Sequence, residues 1–161
     1  MGNICRSPSA EGVFLSRVKL QVPEWLESGA LKVDSAGTHG YHVGEPPDPR
    51  SIEAALNRGV DLRSLRARQV TQEDFEDYHY ILAMDHRNMA DLEEIAGPPV
   101  FHQKRSQGGI QLFLDYATGQ KVREVPDPYY GGPRGFEMVL DLITQASDGF
   151  ISYLIKTDQD R

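Results

Sequence analysis

Arg6 stands between the only cysteine of the chain, Cys5, and a Ser7-Pro8 pair, and it follows Gly2-Asn3-Ile4. These residue types at this spacing make an anion site. Gly2 and Asn3 tolerate the backbone angles of a tight turn. Ser7 is a good N-cap, and Pro8 suits the first helical position, where a missing N–H costs nothing. Such a loop turns several backbone N–H groups towards one point at the positive end of a helix. Arg6 can add a planar fork matched to phosphate oxygens. The competing reading is a surface arginine at a helix start, which is less natural because cations are unfavourable there. Cys5 invites assignment as a nucleophile. Geometry argues against it, because adjacent residues cannot easily set a sulfur beneath a phosphate and a guanidinium around its equatorial oxygens.

The elements that must position this loop follow the order of an α/β protein. Residues 8–22 read as a first helix, with Ala10, Val13, Phe14, Val18 and Val22 on one face. Residues 32–37 read as a short strand running into a glycine-rich turn. Residues 38–49 form a long loop holding Tyr41 and His42. Asp48-Pro49 looks like an N-cap and first helical residue, and Gly59 like the C-cap of the helix they open. Residues 60–70 are irregular and basic. Thr71 with Asp74 resembles a capping box before a short helix. Residues 80–84 suit a buried strand, 88–96 a helix, 97–109 a polar linker and 110–114 a further strand. Prolines and glycines force a loop over 126–133, and a last helix spans about 136–155. Helices alternating with apolar runs predict a parallel sheet. The pattern starts one strand late, since such a sheet requires a strand before the first helix.

The totals bound the function. The 161 residues suffice for one domain, and 39% hydrophobic with 25% charged residues is ordinary for a globular protein. A formal net charge of −7 argues against broad nucleic-acid or anionic-membrane binding. Any phosphate must therefore be held by local geometry. The single cysteine excludes an internal disulfide and argues against a cysteine-based zinc site. His39, His42, His79, His86 and His102 show no metal-ligand spacing, so no metal and no cofactor are expected. With no membrane span and no signal peptide visible, the expected compartment is the cytoplasm.

Gly2-Asn3-Ile4-Cys5-Arg6-Ser7-Pro8, Ser35-Ala36-Gly37-Thr38, Ala67-Arg68-Gln69, Met84-Asp85 and Asp127-Pro128-Tyr129-Tyr130 together resemble the low-molecular-weight protein tyrosine phosphatase family. The likeness covers nearly the whole chain. It implies a three-layer α/β fold on a four-stranded parallel sheet. The activity it implies is hydrolysis of protein phosphotyrosine or small aryl phosphates through a phosphocysteine. Gly2 to Ser7 would cradle the phosphate and Arg6 would hold it bidentately. Asp127 would be the general acid that protonates the leaving phenolate and then activates water; read from its own neighbours, Asp-Pro is a turn signal. Tyr41, Tyr129 and Tyr130 would wall the substrate cleft, or are ordinary surface aromatics. Asn3 and Ser35 resemble the polar pair that shapes the loop, with Asn3 as a plain turn residue the other reading. Asp85 resembles the carboxylate that orients the arginine, or is a helix cap.

The family's loop places the nucleophilic cysteine six residues before the arginine. Counting back from Arg6 puts it immediately ahead of Met1, so the resemblance implies a chain without its first strand and nucleophile, inactive alone. A start codon set too late would produce such a chain. Cys5 would be an auxiliary cysteine, able in intact relatives to trap the nucleophile in a protective disulfide. One departure is the stretch Arg63-Ser64-Leu65-Arg66, where the family commonly supports the loop with a nearby histidine. Two other functions compete. A non-catalytic phosphate or phosphotyrosine binder would keep the loop and lack the nucleophile. Arsenate reduction would need more relay cysteines than one. Phosphoarginine and kinase targets stay open within the family, as does the oligomeric state.

Overall fold

Proline and glycine set most of the chain breaks, and apolar spacing sets what lies between them. The computed structural model describes residues 2–97 and 109–159, the side chain of Tyr130 excepted. Its helices are α1 (Arg6–Gln21), α2 (Glu24–Glu27), α3 (Pro49–Leu56), α4 (Asp74–Asp77), α5 (His86–Ala96) and α6 (Gly132–Gln159). Its strands are β1 (Tyr80–Ala83) and β2 (Gly109–Leu112), with 3-10 turns at Phe113–Tyr116 and Pro128–Tyr130. The polar linker expected over 97–109 lies mostly outside the described residues.

β1 and β2 run parallel, Tyr80 opposite Gly109 and Ala83 opposite Leu112. Parallel neighbours need a crossover, and α5 lies between them in the chain. Alternation along β1 separates two cores. Tyr80 and Leu82 face the large one, where α6 packs on α1 through residues such as Phe14, Val18, Ile143, Phe150 and Ile151. Ile81 and Ala83 face a smaller one with Phe75, Leu92, Ala96 and Leu112. The fold is thus α/β, with helices on both faces of the sheet. Gly149 lets α6 close on the turn before it; a Cβ there would stand 1.8 Å from the Tyr116 carbonyl oxygen.

Several boundaries differ from expectation. Among the described residues the sheet is two-stranded. Residues 32–37, read as a strand, form no ladder among the described residues; the pairing seen there is the isolated parallel bridge Gly37–Gln69. A strand needs a neighbour to complete its hydrogen bonds, and no described segment pairs along its length. Between this segment and β1 is an open slot of about 570 Å³, lined by Phe14, Trp25, Leu31, Val33, Tyr80 and Leu82 among others. β2 stops at Leu112 because the chain tightens into the turn at Phe113–Tyr116. α6 starts at Gly132, ahead of the expected 136. Pro133 is accommodated because N–H groups of a first helical turn have no intrahelical partner anyway.

α1 also begins early, at Arg6, with Cys5 in the capping position and no side-chain cap bond. Ser7 is therefore not the N-cap and Pro8 not the first helical residue. Both sit inside the first turn, where a proline still costs no hydrogen bond. Asp48 and Pro49 do open α3 as expected, the Asp48 carboxylate accepting from the Arg50 N–H. One arm of the capping box forms, Asp74 Oδ2 accepting from the Thr71 N–H at 2.9 Å.

Candidate active site

The loop ahead of α1 bends at Asn3, the one non-glycine residue with positive φ among those described, at 61°. Asparagine tolerates this region because its short side chain bonds locally. Here Asn3 Nδ2 donates to Ser7 Oγ at 2.8 Å and to Ser35 Oγ at 3.0 Å, and its Oδ1 accepts from the Arg68 N–H at 3.0 Å. Ser35 in turn donates to Glu11 Oε2 at 2.6 Å. Asn3 and Ser35 are thus in contact, and Ser7 joins them as an acceptor rather than as a cap. Gly2 carries no side chain because His42 packs against it; a Cβ would lie 2.4 Å from the imidazole Cδ2. His42 itself pairs with Glu45 at 2.8 Å.

Arg6 is buried, with 8% of its surface exposed. Its Nη1 donates to Asp85 Oδ2 at 2.6 Å and to the Val125 carbonyl at 2.9 Å. No described residue takes Nη2 or Nε, so that edge of the guanidinium is available to an anion. Asp85 joins both readings made of it. Oδ1 caps α5 by accepting from the Asn88 N–H at 2.7 Å, and Oδ2 holds Arg6. Burial alone would raise its pKa, but the Asn88 N–H and the Arg6 charge outweigh it and hold the carboxyl below its ordinary 3.8.

Cys5 is a free, buried cysteine. Burial pushes its thiol up to about 11; the Ser51 hydroxyl beside it acts the other way, and Asp48 and Asp127 add to the rise. Reactive thiols are shifted down, into roughly the 3.5–7.5 range, by neighbouring cations or metals. The Cys5 environment does the opposite.

Above the loop opens a cleft of about 710 Å³, lined by residues 2–7, Tyr41, His42, Asp48, Asp127 and Tyr129. Asp127 is exposed and accepts from the Tyr129 N–H at 3.0 Å, so it also starts the Pro128–Tyr130 turn. Tyr41, 76% exposed, stacks on His39 with centroids 5.3 Å apart. Tyr129 lies half-exposed under the Arg50 guanidinium at 4.8 Å. The Tyr130 side chain lies outside what is described. Among the described residues no cluster of histidine, cysteine and carboxylates could hold a metal ion, and no helix is long and apolar enough to cross a membrane.

Sequence reasoning brought Gly2 to Ser7, Arg6, Ser35, Asp85, Tyr41, Asp127 and Tyr129 to one region, and the structure gathers them there. It missed Glu11, Arg68 and Arg50. Glu11 had a signal, being a carboxylate one turn from Ser7 on a helix whose first turn is buried. Arg68 supports the loop through its backbone N–H, which no side-chain pattern reports. Among the described residues no histidine joins the hydrogen bonds around Asn3, although His42 packs against Gly2; Arg66, in the stretch noted above, bonds the Arg63 and Leu65 carbonyls.

The family model described as low molecular weight phosphotyrosine protein phosphatase matches residues 1–160. The chain is 37% identical over 159 residues to the low molecular weight protein-tyrosine-phosphatase YfkJ of Bacillus subtilis, covering 99% of this chain and 94% of that one. It is 37% identical over 151 residues to the human low molecular weight phosphotyrosine protein phosphatase, covering 94% and 89%. A crystal structure of a protein tyrosine phosphatase from Entamoeba histolytica, with Hepes in the active site, superposes with a TM-score of 0.83 at 37% identity, covering 98% and 94%. With its loop, arginine and cleft in place, the chain belongs to the low molecular weight phosphotyrosine protein phosphatase family.

Proposed function

We propose that this chain carries the phosphate-binding and proton-donating parts of a phosphatase for protein phosphotyrosine or small aryl phosphates. The observation that carries the reading is Arg6. It is held on one edge by Asp85 and Val125, and among the described residues the other edge takes no hydrogen-bond partner and lies in a cleft lined also by Asp127 and Tyr129. The phosphate would sit on the N–H groups of residues 2–7, its equatorial oxygens bonded to the free edge of Arg6. Tyr41, Tyr129 and Tyr130 would flank the aryl ring. A thiolate attacks phosphorus and the P–O bond to the phenol breaks, the departing oxygen taking the proton of Asp127. Water then attacks phosphorus and breaks the S–P bond, Asp127 taking the water proton.

The nucleophile in this reading is not Cys5, whose thiol is buried and resists ionisation up to about pH 11. The family spacing would put it six residues before Arg6, at a position directly ahead of Met1, where a strand could complete the sheet. The apolar slot beside β1 supports this, since Ser7, Ser35 and Met84, next to the loop, are among its lining residues. The four-stranded sheet follows if that strand pairs β1 on one side and residues 32–37 on the other. The 161-residue chain then binds phosphate without turning substrate over, which is also what a non-catalytic binder would do. The test is aryl phosphate hydrolysis by this chain and by a version extended upstream in frame. Activity is expected only in the extended form and is lost when the added cysteine becomes serine. Turnover by the short chain that disappears in Cys5→Ser would overturn the assignment.

A further inference from the structure

Arg50 makes more contacts around the cleft than any expectation from sequence assigned to it, yet it does not itself line the cleft. Its Nε donates to Asp48 Oδ1 at 3.0 Å and its Nη2 to Asp48 Oδ2 at 2.8 Å, a two-point fork. Its Nη1 reaches across to the Tyr129 carbonyl at 3.2 Å. The guanidinium lies over two rings, Tyr129 at 4.8 Å and Phe136 at 4.9 Å. Asp48 in turn is fastened to the phosphate loop, its N–H donating to the Ile4 carbonyl at 2.7 Å. A continuous chain of contacts thus runs from Ile4 through Asp48 and Arg50 to Tyr129, two residues beyond Asp127. The Asp48 carboxyl is correspondingly held below its ordinary range, first by the bond from Arg50.

We infer that Arg50 is a positioning residue that fixes the Asp127 turn at a set height above the phosphate loop, by bridging Asp48 to the Tyr129 carbonyl. This rests on the reading of Asp127 as general acid. Pro128 of this turn is buried against the start of α6, and Arg50 adds a tie on the side that faces the phosphate loop. Asp127 and Tyr129 are exposed, and the turn's own bonds are local, Tyr129 N–H to Asp127 Oδ1 and Gly131 N–H to the Pro128 carbonyl. A proton donor must lie within hydrogen-bond reach of the leaving oxygen, and small misplacements are costly in rate. A guanidinium suits the task because its planar fork can grip a carboxylate on one edge, a carbonyl on another and aromatic rings on its faces, which an ammonium cannot.

Two measurements test this. Amide hydrogen exchange on the 161-residue chain needs no turnover. Arg50→Ala leaves the backbone bond from residue 50 to Asp48 intact, so α3 stays capped. It is expected to raise exchange at Tyr129 and Gly131 several-fold, with the amides of α1 unchanged. Asp48→Asn, which also caps well, should give a smaller rise at the same amides. Unchanged exchange at residues 129 and 131 in both variants overturns the tether. The second arm uses the upstream-extended enzyme with two substrates, phenyl phosphate, whose leaving group needs a proton, and 2,4-dinitrophenyl phosphate, whose leaving group does not. Arg50→Ala should lower kcat for phenyl phosphate by about tenfold more than for the dinitrophenyl ester. Arg50→Lys should recover little. Equal slowing of both esters, or none, overturns the positioning role even if exchange rises. Asp127→Asn is the control: if it fails to discriminate the two esters, the acid assignment is at fault and the tether stands on the exchange data alone.

Discussion

Asp85 shows how one carboxylate can serve structure and site together, and the two roles can be separated by substitution. Asparagine caps helices about as well as aspartate, so Asp85→Asn should leave the Asn88 N–H satisfied. It removes the charge that Arg6 Nη1 faces at 2.6 Å. Weakening a charged hydrogen bond to a buried group costs about 1–3 kcal/mol, and phosphate affinity should fall with it because the guanidinium is no longer fixed. Equilibrium unfolding and phosphate titration of the variant check both. The pH dependence has a definite sign. The Asp85 carboxyl is held below its ordinary 3.8 in the folded state. Its contribution is therefore present above that value and lost as pH falls through the folded pKa. Wild type should lose stability more steeply than Asp85→Asn below about pH 4. Parallel acid limbs would show that Arg6 and Asp85 are not coupled. Cys5 carries the opposite sign. Its thiol, raised to about 11 from 9.0, favours the folded state below 9.0, an advantage lost as pH rises through about 11. Alkylation of the native chain by iodoacetamide should stay slow at pH 7–8 and climb only toward pH 11. Rapid modification at neutral pH would restore Cys5 as a candidate nucleophile.

At the scale of elements, what was legible from sequence was what local chemistry decides. Asp48-Pro49 opens α3, the apolar run after His79 becomes β1, and the stripe from Phe136 becomes the buried face of α6. What was not legible depends on neighbours far along the chain. The start of α1 moves to Arg6 because Ser7 is drawn into the Asn3–Ser35 contact instead of capping. Residues 32–37 have the composition of a strand, but strandness is a property of pairs, and among the described residues the segment pairs at Gly37 alone. The Glu11, Arg68 and Arg50 contacts each span tens of residues or run through backbone groups, beyond any short pattern. The α6–turn contact is likewise invisible locally and makes a sharp prediction. Gly149 lies mid-helix, where alanine has the better intrinsic propensity by about 1 kcal/mol. A Cβ at 1.8 Å from the Tyr116 oxygen must instead push the turn off the helix. Gly149→Ala should therefore destabilise the chain by about 1–3 kcal/mol, read by denaturant midpoint, while phosphate binding at the distant cleft is retained. A stabilised variant would mean that the turn can move away freely.

For the molecule as a whole, the charge balance decides how a phosphate reaches the site. A formal net charge of −7 repels the dianion at long range, while Arg6 and the loop N–H groups attract it only at contact. Screening acts mainly on charges separated by more than the Debye length, about 10 Å at 0.1 M ionic strength. Added salt should therefore remove the unfavourable long-range part and leave most of the contact part, because Arg6 is buried. A protein that binds phosphate through a diffuse basic surface behaves otherwise, losing affinity steeply with salt as counterions compete. Phosphate binding to the 161-residue chain can be followed as a rise in melting temperature. Saturation at about a hundred times Kd adds about 2.7 kcal/mol, a shift of roughly 5–10 °C for a domain of this size. Between about 0.02 and 0.2 M ionic strength, set with a bulky organic anion that does not fit the loop, the affinity should change by less than about threefold. It should vanish at every salt concentration in Arg6→Ala. A steep loss of affinity with salt, or a shift that survives Arg6→Ala, would place phosphate somewhere other than the loop before α1.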